Sequence, residues 1–172
     1  MKLLAIDPGL SFTGYAIFSR GNGKTVLLAA DVIKVKSSLS IPAKLKFLYD
    51  TCNEMIGKNE ITDLAIETPF LGKNAATFTK LGYIRGLLYL LSEAHLLTLH
   101  EFAPQVVKKA VTGSGRSDKE VVARIMKARF PELSNANRLD VTDATAVGLC
   151  ALMHTDNNVI LKAQLSLQTQ KY

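Results

Sequence analysis

The stretch LLAIDPGLSFTGYAIF, residues 3–18, decides how this chain is read. An apolar run ends in a single acid, Asp7, and Pro8 and Gly9 make a turn signal. A second run of strand-forming residues follows, from Phe12 to Phe18. So short a connection joins two antiparallel strands of a meander. The acid at the strand tip raises the question of which other residues share that end of the sheet.

The pattern continues outward in the same terms. Residues 2–7, 12–19 and 25–35 read as three strands, the second turn being Gly21-Asn22-Gly23. Residues 41–58 are helical, with Leu45, Leu48, Tyr49, Cys52 and Met55/Ile56 recurring at three and four and Pro42 in the first turn. DLAIE, residues 63–67, is a strand that again ends in an acid. A long helix is predicted over 74–92, a strand over 95–100 and a short helix over 104–111 opened by Pro104. TGSGRSDKE, residues 112–120, is a glycine-rich turn entering a helix, with Ser117 and Glu120 spaced as a capping box. A last helix covers 141–154, and 156–172 is polar apart from Val159–Leu161. The division is thus one domain over 1–157 and a C-terminal tail over 158–172.

Three strands followed by alternating helix and strand predict an α/β fold. Its mixed five-stranded sheet has three antiparallel strands, then two parallel, with helices on both faces. The interior glycines Gly82 and Gly86 of the long helix each cost up to ~1 kcal/mol relative to alanine. A smooth strip for a close helix contact, internal or between two copies, accounts for them.

At 172 residues, 48% of them apolar, the chain suffices for one well-cored domain. Its net charge of +6 fits a protein that meets a polyanion, and equally a protein with a few extra lysines. Cys52 and Cys150 have no ligand-like spacing and read as buried reduced thiols. MKLLAIDPG lacks a signal-peptide core, and Ser92, Glu93 and His95 interrupt the most apolar stretch. A cytoplasmic location with no membrane contact is the expectation.

Asp7 and Glu67 end the first and fourth strands, so adjacent strands would set their carboxylates side by side. Asp140 and Asp143, three apart at the start of the last helix, share one face of it. Singly, each has a structural reading, such as compensation of the helix dipole. Together the four would repel and raise one another's pKa unless divalent cations neutralised them. Oxygen-only ligands favour Mg²⁺ or Mn²⁺ over zinc. Two such ions about 4 Å apart are a known means of cleaving a phosphodiester.

Five segments then carry a resemblance: AIDPGLSFTGYA at 5–16, LAIETPF at 64–70, KLGYIRG at 80–86, APQVVKKAVTGSGRSDKEVV at 103–122 and DVTDATAVG at 140–148. In this order and spacing the chain resembles the RuvC family of Holliday junction resolvases, whose fold is ribonuclease H-like. The resemblance implies a catalytic and metal-holding tetrad of Asp7, Glu67, Asp140 and Asp143, the fourth position being Asp in some members and His in others. It implies basic catalytic positions at Lys108 and Lys119, with Lys109 and Arg116 beside them. Physical reasoning supports phosphate binding there, since a glycine-rich turn before a helix exposes backbone N–H groups. Gly113, Gly115 and Ser117 belong to that turn. The alternative is an ordinary loop with solvated lysines.

Phe70, by resemblance, is the aromatic that stacks on an unpaired base at the junction centre, a contact worth ~1–3 kcal/mol. Its other reading is a core residue at a strand-to-helix corner. Lys73, Asn74, Lys80 and Arg85 would add phosphate contacts on the same side. The expected activity is a structure-selective endonuclease that resolves four-way DNA junctions by paired symmetric nicks, with two Mg²⁺ per site and Mn²⁺ as a substitute. It would leave 5′-phosphate and 3′-hydroxyl ends. The partners implied are branched DNA, a second copy of the chain and, as a candidate, a branch-migration motor complex. Two alternatives are a ribonuclease H-like nuclease for another branched or hybrid substrate, and a non-catalytic junction-binding module. DPGLSFTG would also pass as the first phosphate loop of an actin-like ATPase, but no second such loop follows.

Overall fold

The computed structural model describes residues 1–68 and 75–169, with side chains in the last helix described as far as Thr155. Strands β1 (Lys2–Asp7), β2 (Phe12–Gly21) and β3 (Lys24–Lys34) form the expected meander. Helix α1 (Ile41–Asn59), strand β4 (Asp63–Glu67), helix α2 (Ala75–Ala94) and strand β5 (Thr98–Phe102) follow. Helices α3 (Pro104–Thr112), α4 (Lys119–Arg129) and α5 (Leu139–Thr169) complete the chain, with a 3₁₀ turn at Pro131–Leu133.

The sheet order is β3-β2-β1-β4-β5. β1 runs antiparallel to β2 and β2 to β3, whereas β1–β4 and β4–β5 are parallel. The pleat sends alternate residues to opposite faces, and each face has its own core. Leu4, Ile6, Leu64 and Ile66 meet Leu48 and Cys52 of α1 and Ile84, Leu88 and Leu91 of α2. Leu3, Ala5, Ala65 and Phe18 meet Val107 of α3, Val122 and Met126 of α4 and Val147, Cys150 and Ala151 of α5. Both faces of β1 and β4 are therefore buried, as near-continuous apolar runs require.

Two expectations about boundaries differ from the structure. β5 begins at Thr98, because α2 continues to Ala94 and the chain reverses at Leu96 with φ 54°. α5 continues past His154 to Thr169, so the backbone of most of the polar segment is helical. His154 is consequently inside a helix, its ring 4.9 Å from that of Phe102. Both cysteines are free and buried, and burial pushes Cys52 up to about 12 and Cys150 to about 11. Among the described residues, no helix is long and apolar enough to cross a membrane.

α5 lies on the sheet at contact distance because residue 148 is glycine. A Cβ there would lie 2.3 Å from Cε2 of Phe18 and 3.0 Å from the Ala5 Cβ. Helix propensity favours alanine by up to ~1 kcal/mol, whereas overpacking a core costs ~1–3 kcal/mol. Gly148→Ala is therefore expected to lower stability by about 1–2 kcal/mol in urea unfolding, and an unchanged or higher midpoint would refute this packing account.

Candidate active site

The register that builds the core also builds the site. Ile6 pairs with Ile66, so Asp7 and Glu67 are the next residues on two neighbouring parallel strands. Counting by twos from Leu3 and Ala5, and from Ala65, places both acids on the face covered by α5. Opposite Asp7 in β2 stands Gly14, where a Cβ would lie 2.0 Å from the backbone oxygen of Asp140. A bare backbone at Gly14 thus lets the first turn of α5 touch the sheet beside Asp7. Behind that acid the turn is clamped by buried Thr13, whose Oγ1 donates to the Gly9 carbonyl at 2.6 Å.

The electrostatics follow from this convergence. Burial, and then the charge of Asp143, push Asp7 up to about 7; Glu67 and Asp140 add to the rise and Lys119 opposes it. Glu67 is likewise raised, first by burial and then by Asp143, with Lys119 and Lys108 opposing. Lys119, the first residue of α4, binds Asp143 Oδ2 through Nζ at 2.6 Å. Burial alone would lower the Lys119 pKa, but the bond to Asp143 and the charges of Asp7 and Glu67 hold it above its ordinary value. Glu67, Lys108, Lys119 and Asp143 line one small cavity of about 130 Å³. A second of the same size adjoins Asp7 and Glu67.

Arg138 was not singled out from sequence, although it stands two residues before Asp140. Its Nε donates to Asp140 Oδ2 at 2.9 Å, and its guanidinium lies 3.5 Å from the Phe12 ring centroid. Among the described residues no trio of His, Cys, Asp and Glu is arranged to hold one ion as the side chains stand. Asp143 and Asp140 are each turned to a cation of the chain itself. The donor set nevertheless suits a hard divalent cation, being all oxygen, mutually repelling and short of positive charge at Asp7.

The residues expected to hold DNA divide into three groups. Phe70, Lys73 and Asn74 lie outside the described residues. Lys80 is exposed on α2, and Lys109, Gly113, Gly115 and Arg116 line an open cleft of about 1040 Å³ between α3 and α5. Gly113 ends α3 with φ 80°, a left-handed turn that favours glycine. Arg85 and Ser117 differ from expectation. Arg85 is buried, its guanidinium is engaged by Glu101, Tyr89 and the Glu67 carbonyl rather than held free for a phosphate, and it lines the small cavity beside Asp7 and Glu67. Ser117 does not cap α4, because its hydroxyl pairs with Thr112 Oγ1 at 2.8 Å and Asp118 takes the N-cap position. Thr112, also missed from sequence, ties the turn together by bonding to Lys108 O and accepting from Ser114 N–H at 3.1 Å.

The raised Asp7 pKa has a consequence for stability. A carboxyl that ionises near 7 when folded and at 3.8 in an unperturbed chain holds its proton more tightly in the native state. Stability of the metal-free protein therefore falls as pH rises from about 4 to about 7. Asp7→Asn removes this dependence. In chelator at pH 8 the variant is expected to exceed the wild type by about 2–4 kcal/mol, with little difference at pH 4. Thermal or urea unfolding at both pH values checks it, and a difference that does not grow with pH would refute the coupling.

Comparison with known proteins gives the family of the chain. Residues 3–151 match the family model described as "Crossover junction endodeoxyribonuclease RuvC". A relative of that name from Chloroherpeton thalassium is 32% identical over 171 residues, covering 99% of this chain and 91% of the relative. The structure of Thermus thermophilus RuvC superposes with a TM-score of 0.79 at 22% identity, covering 92% of this chain and 97% of that one. The same protein in complex with a Holliday junction substrate superposes with a TM-score of 0.78 at 20% identity, covering 91% and 96%. The mixed sheet with helices on both faces is thus a ribonuclease H-like fold.

Proposed function

The chain belongs to the RuvC family of crossover junction endodeoxyribonucleases, and from that premise we propose that it resolves four-way DNA junctions by paired, symmetric hydrolytic nicks. The observation that carries the chemistry is the convergence of Asp7, Glu67, Asp140 and Asp143 on one end of the sheet, with Lys119 and Lys108 beside them. Asp7, Glu67, Asp140 and Asp143 would hold two Mg²⁺ ions, with Mn²⁺ as a substitute. Bound there, the ions supply the activation of water and the stabilisation of the leaving oxygen in an in-line displacement at phosphorus. Asp143 and Asp140 must turn from Lys119 and Arg138 to do so, which frees two cations beside the phosphate. Lys119 then faces the charge that builds on the phosphoryl oxygens, where a fixed donor lowers the barrier. Lys108 lines the same cavity. The 3′ oxygen leaves, giving 5′-phosphate and 3′-hydroxyl ends.

Two nicks across a two-fold junction call for two sites, and a homodimer supplies them. Support comes from α2, where a Cβ at Gly82 or Gly86 would meet nothing within 4 Å and Tyr83 and Leu90 are exposed. Among the described residues nothing packs on the strip, which suits a second copy as its partner. The cleft carrying Lys109 and Arg116 would follow the phosphate backbone, with affinity falling steeply as salt rises. Family membership supports two further proposals, a cytoplasmic location and a branch-migration motor complex as protein partner.

Cleavage of a synthetic four-way junction with Mg²⁺, beside linear duplex and RNA–DNA hybrid, tests the reading. Paired nicks in the junction alone, absent in Asp7→Asn, are expected; binding without cutting, or preferential cutting of the hybrid, would overturn it. Lys119→Ala is expected to slow cleavage ~10–100-fold and to leave junction affinity in chelator within about threefold. An unchanged rate would return Lys119 to an ordinary surface role. Phe70→Ala is expected to weaken junction cleavage more than duplex binding, and equal losses would dismiss base stacking.

A further inference from the structure

Arg85 stands at the back of the proposed centre, and its burial needs an explanation. It projects from the α2 face that packs on the sheet and is 9% exposed. One arm of the guanidinium, Nη1, donates to the backbone oxygen of Glu67 at 3.2 Å. The other, Nη2, pairs with the Glu101 carboxylate and bonds the Tyr89 hydroxyl. Tyr89 in turn donates to Glu101 Oε1 at 2.7 Å. Glu101 stands beside Ile66 in register, on the α2 side, whereas the Glu67 side chain faces α5. The fork therefore grips the last carbonyl of β4 from behind while the carboxylate of the same residue faces forward.

Stability is a poor reason for this arrangement. Taking the Arg85 guanidinium out of water costs much of what its attraction to the partly exposed Glu101 returns, and apolar replacements of such buried charges are often neutral or better. What a rigid two-armed fork supplies is position. Glu67 ends its strand, and one residue on, Thr68 N–H bonds to Phe102 O at 2.8 Å. The end of a strand is where a sheet opens most readily, and the Arg85 fork is a side-chain tether added to the backbone ladder there.

We propose that Arg85, oriented by Glu101 and Tyr89, is a positioning residue that fixes the β4 terminus and with it the Glu67 carboxylate. This rests on the functional reading above, in which Glu67 serves the nuclease centre. Arg85 acts through Glu67 and touches no reacting atom. A misplacement of about 1 Å at such a centre is enough to cost ~100-fold in rate.

The test compares wild type, Arg85→Met, Arg85→Lys and Glu101→Gln in three measurements. Amide hydrogen exchange of Thr68 reads the strand end directly, without metal or DNA. It is expected to quicken at least ~10-fold in Arg85→Met, with exchange at Leu4 and Ala5 unchanged. Single-turnover cleavage of a four-way junction at saturating Mg²⁺ is expected to fall ~10–100-fold, with junction affinity in chelator within about twofold. Lysine keeps the charge and loses the fork, so Arg85→Lys is expected to restore neither exchange nor rate. Glu101→Gln repeats the effect more weakly, and it decides the matter if Arg85→Met does not fold. Unchanged exchange or an unchanged rate would overturn the proposal. So would full rescue by lysine, or a loss of affinity as large as the loss of rate, which would make Arg85 a phosphate contact. Failure of the wild type to cut would overturn the functional reading, and Thr68 exchange would then judge the fork alone.

Discussion

Repulsion among Asp7, Glu67, Asp140 and Asp143 is the constraint around which this molecule is arranged. Left to themselves, four carboxylates would separate into water, where each is better solvated. They stay together because the elements that carry them are held by packing far larger in sum than the repulsion. Leu3, Leu4, Ala5, Ile6, Leu64, Ala65 and Ile66 are fully buried, and each large side chain among them contributes roughly 1.5–3 kcal/mol. A shift of one residue in the β1–β4 register would turn Asp7 and Glu67 to opposite faces and dissolve the site. The apolar core and the acidic end of the sheet are thus two results of the same strand pairing.

Close approach does the rest. Gly148 lets α5 rest against Phe18 and Ala5, and Gly14 lets its first turn reach the sheet at Asp140. Both glycines lie where a side chain would force the helix outward, and outward movement would carry Asp140 and Asp143 away from Asp7. Packing density at two points therefore sets an electrostatic quantity, the raised pKa of Asp7.

The cations around the acids are sorted by burial. Lys119 and Arg138 are partly solvated, so their bonds to Asp143 and Asp140 can be exchanged for others at small cost. Those two suit the proposed centre, whose ligands would have to turn. Arg85 itself is buried and is met from the solvent side by a partly exposed acid and tyrosine, Glu101 and Tyr89. It suits a fixed support. Residue type alone would not separate these roles, since all three are basic.

Much of this was legible in the sequence. The meander, the two strands ending in acids, the mixed sheet and the tetrad as a group follow from alternation, helical spacing and the placement of Asp7, Glu67, Asp140 and Asp143. Such features are local, because side-chain period and turn residues act within a few positions of the chain. The end of α2, and the continuation of α5 past His154, were not marked by a strong local stop signal. Partner choice was not legible either. Arg85 and Lys80 look alike as basic residues of one helix, yet one is buried against Glu101 and the other is exposed. Ser117 has the spacing of a cap and bonds Thr112 instead. Arg138 reaches Asp140 and Phe12 only once α5 has docked on β2. Sequence by itself determined the elements and which acids would meet. Tertiary structure decided which cation each acid faces and which arginine is withdrawn from solvent, because hydrogen bonds and desolvation depend on atoms brought together from distant parts of the chain.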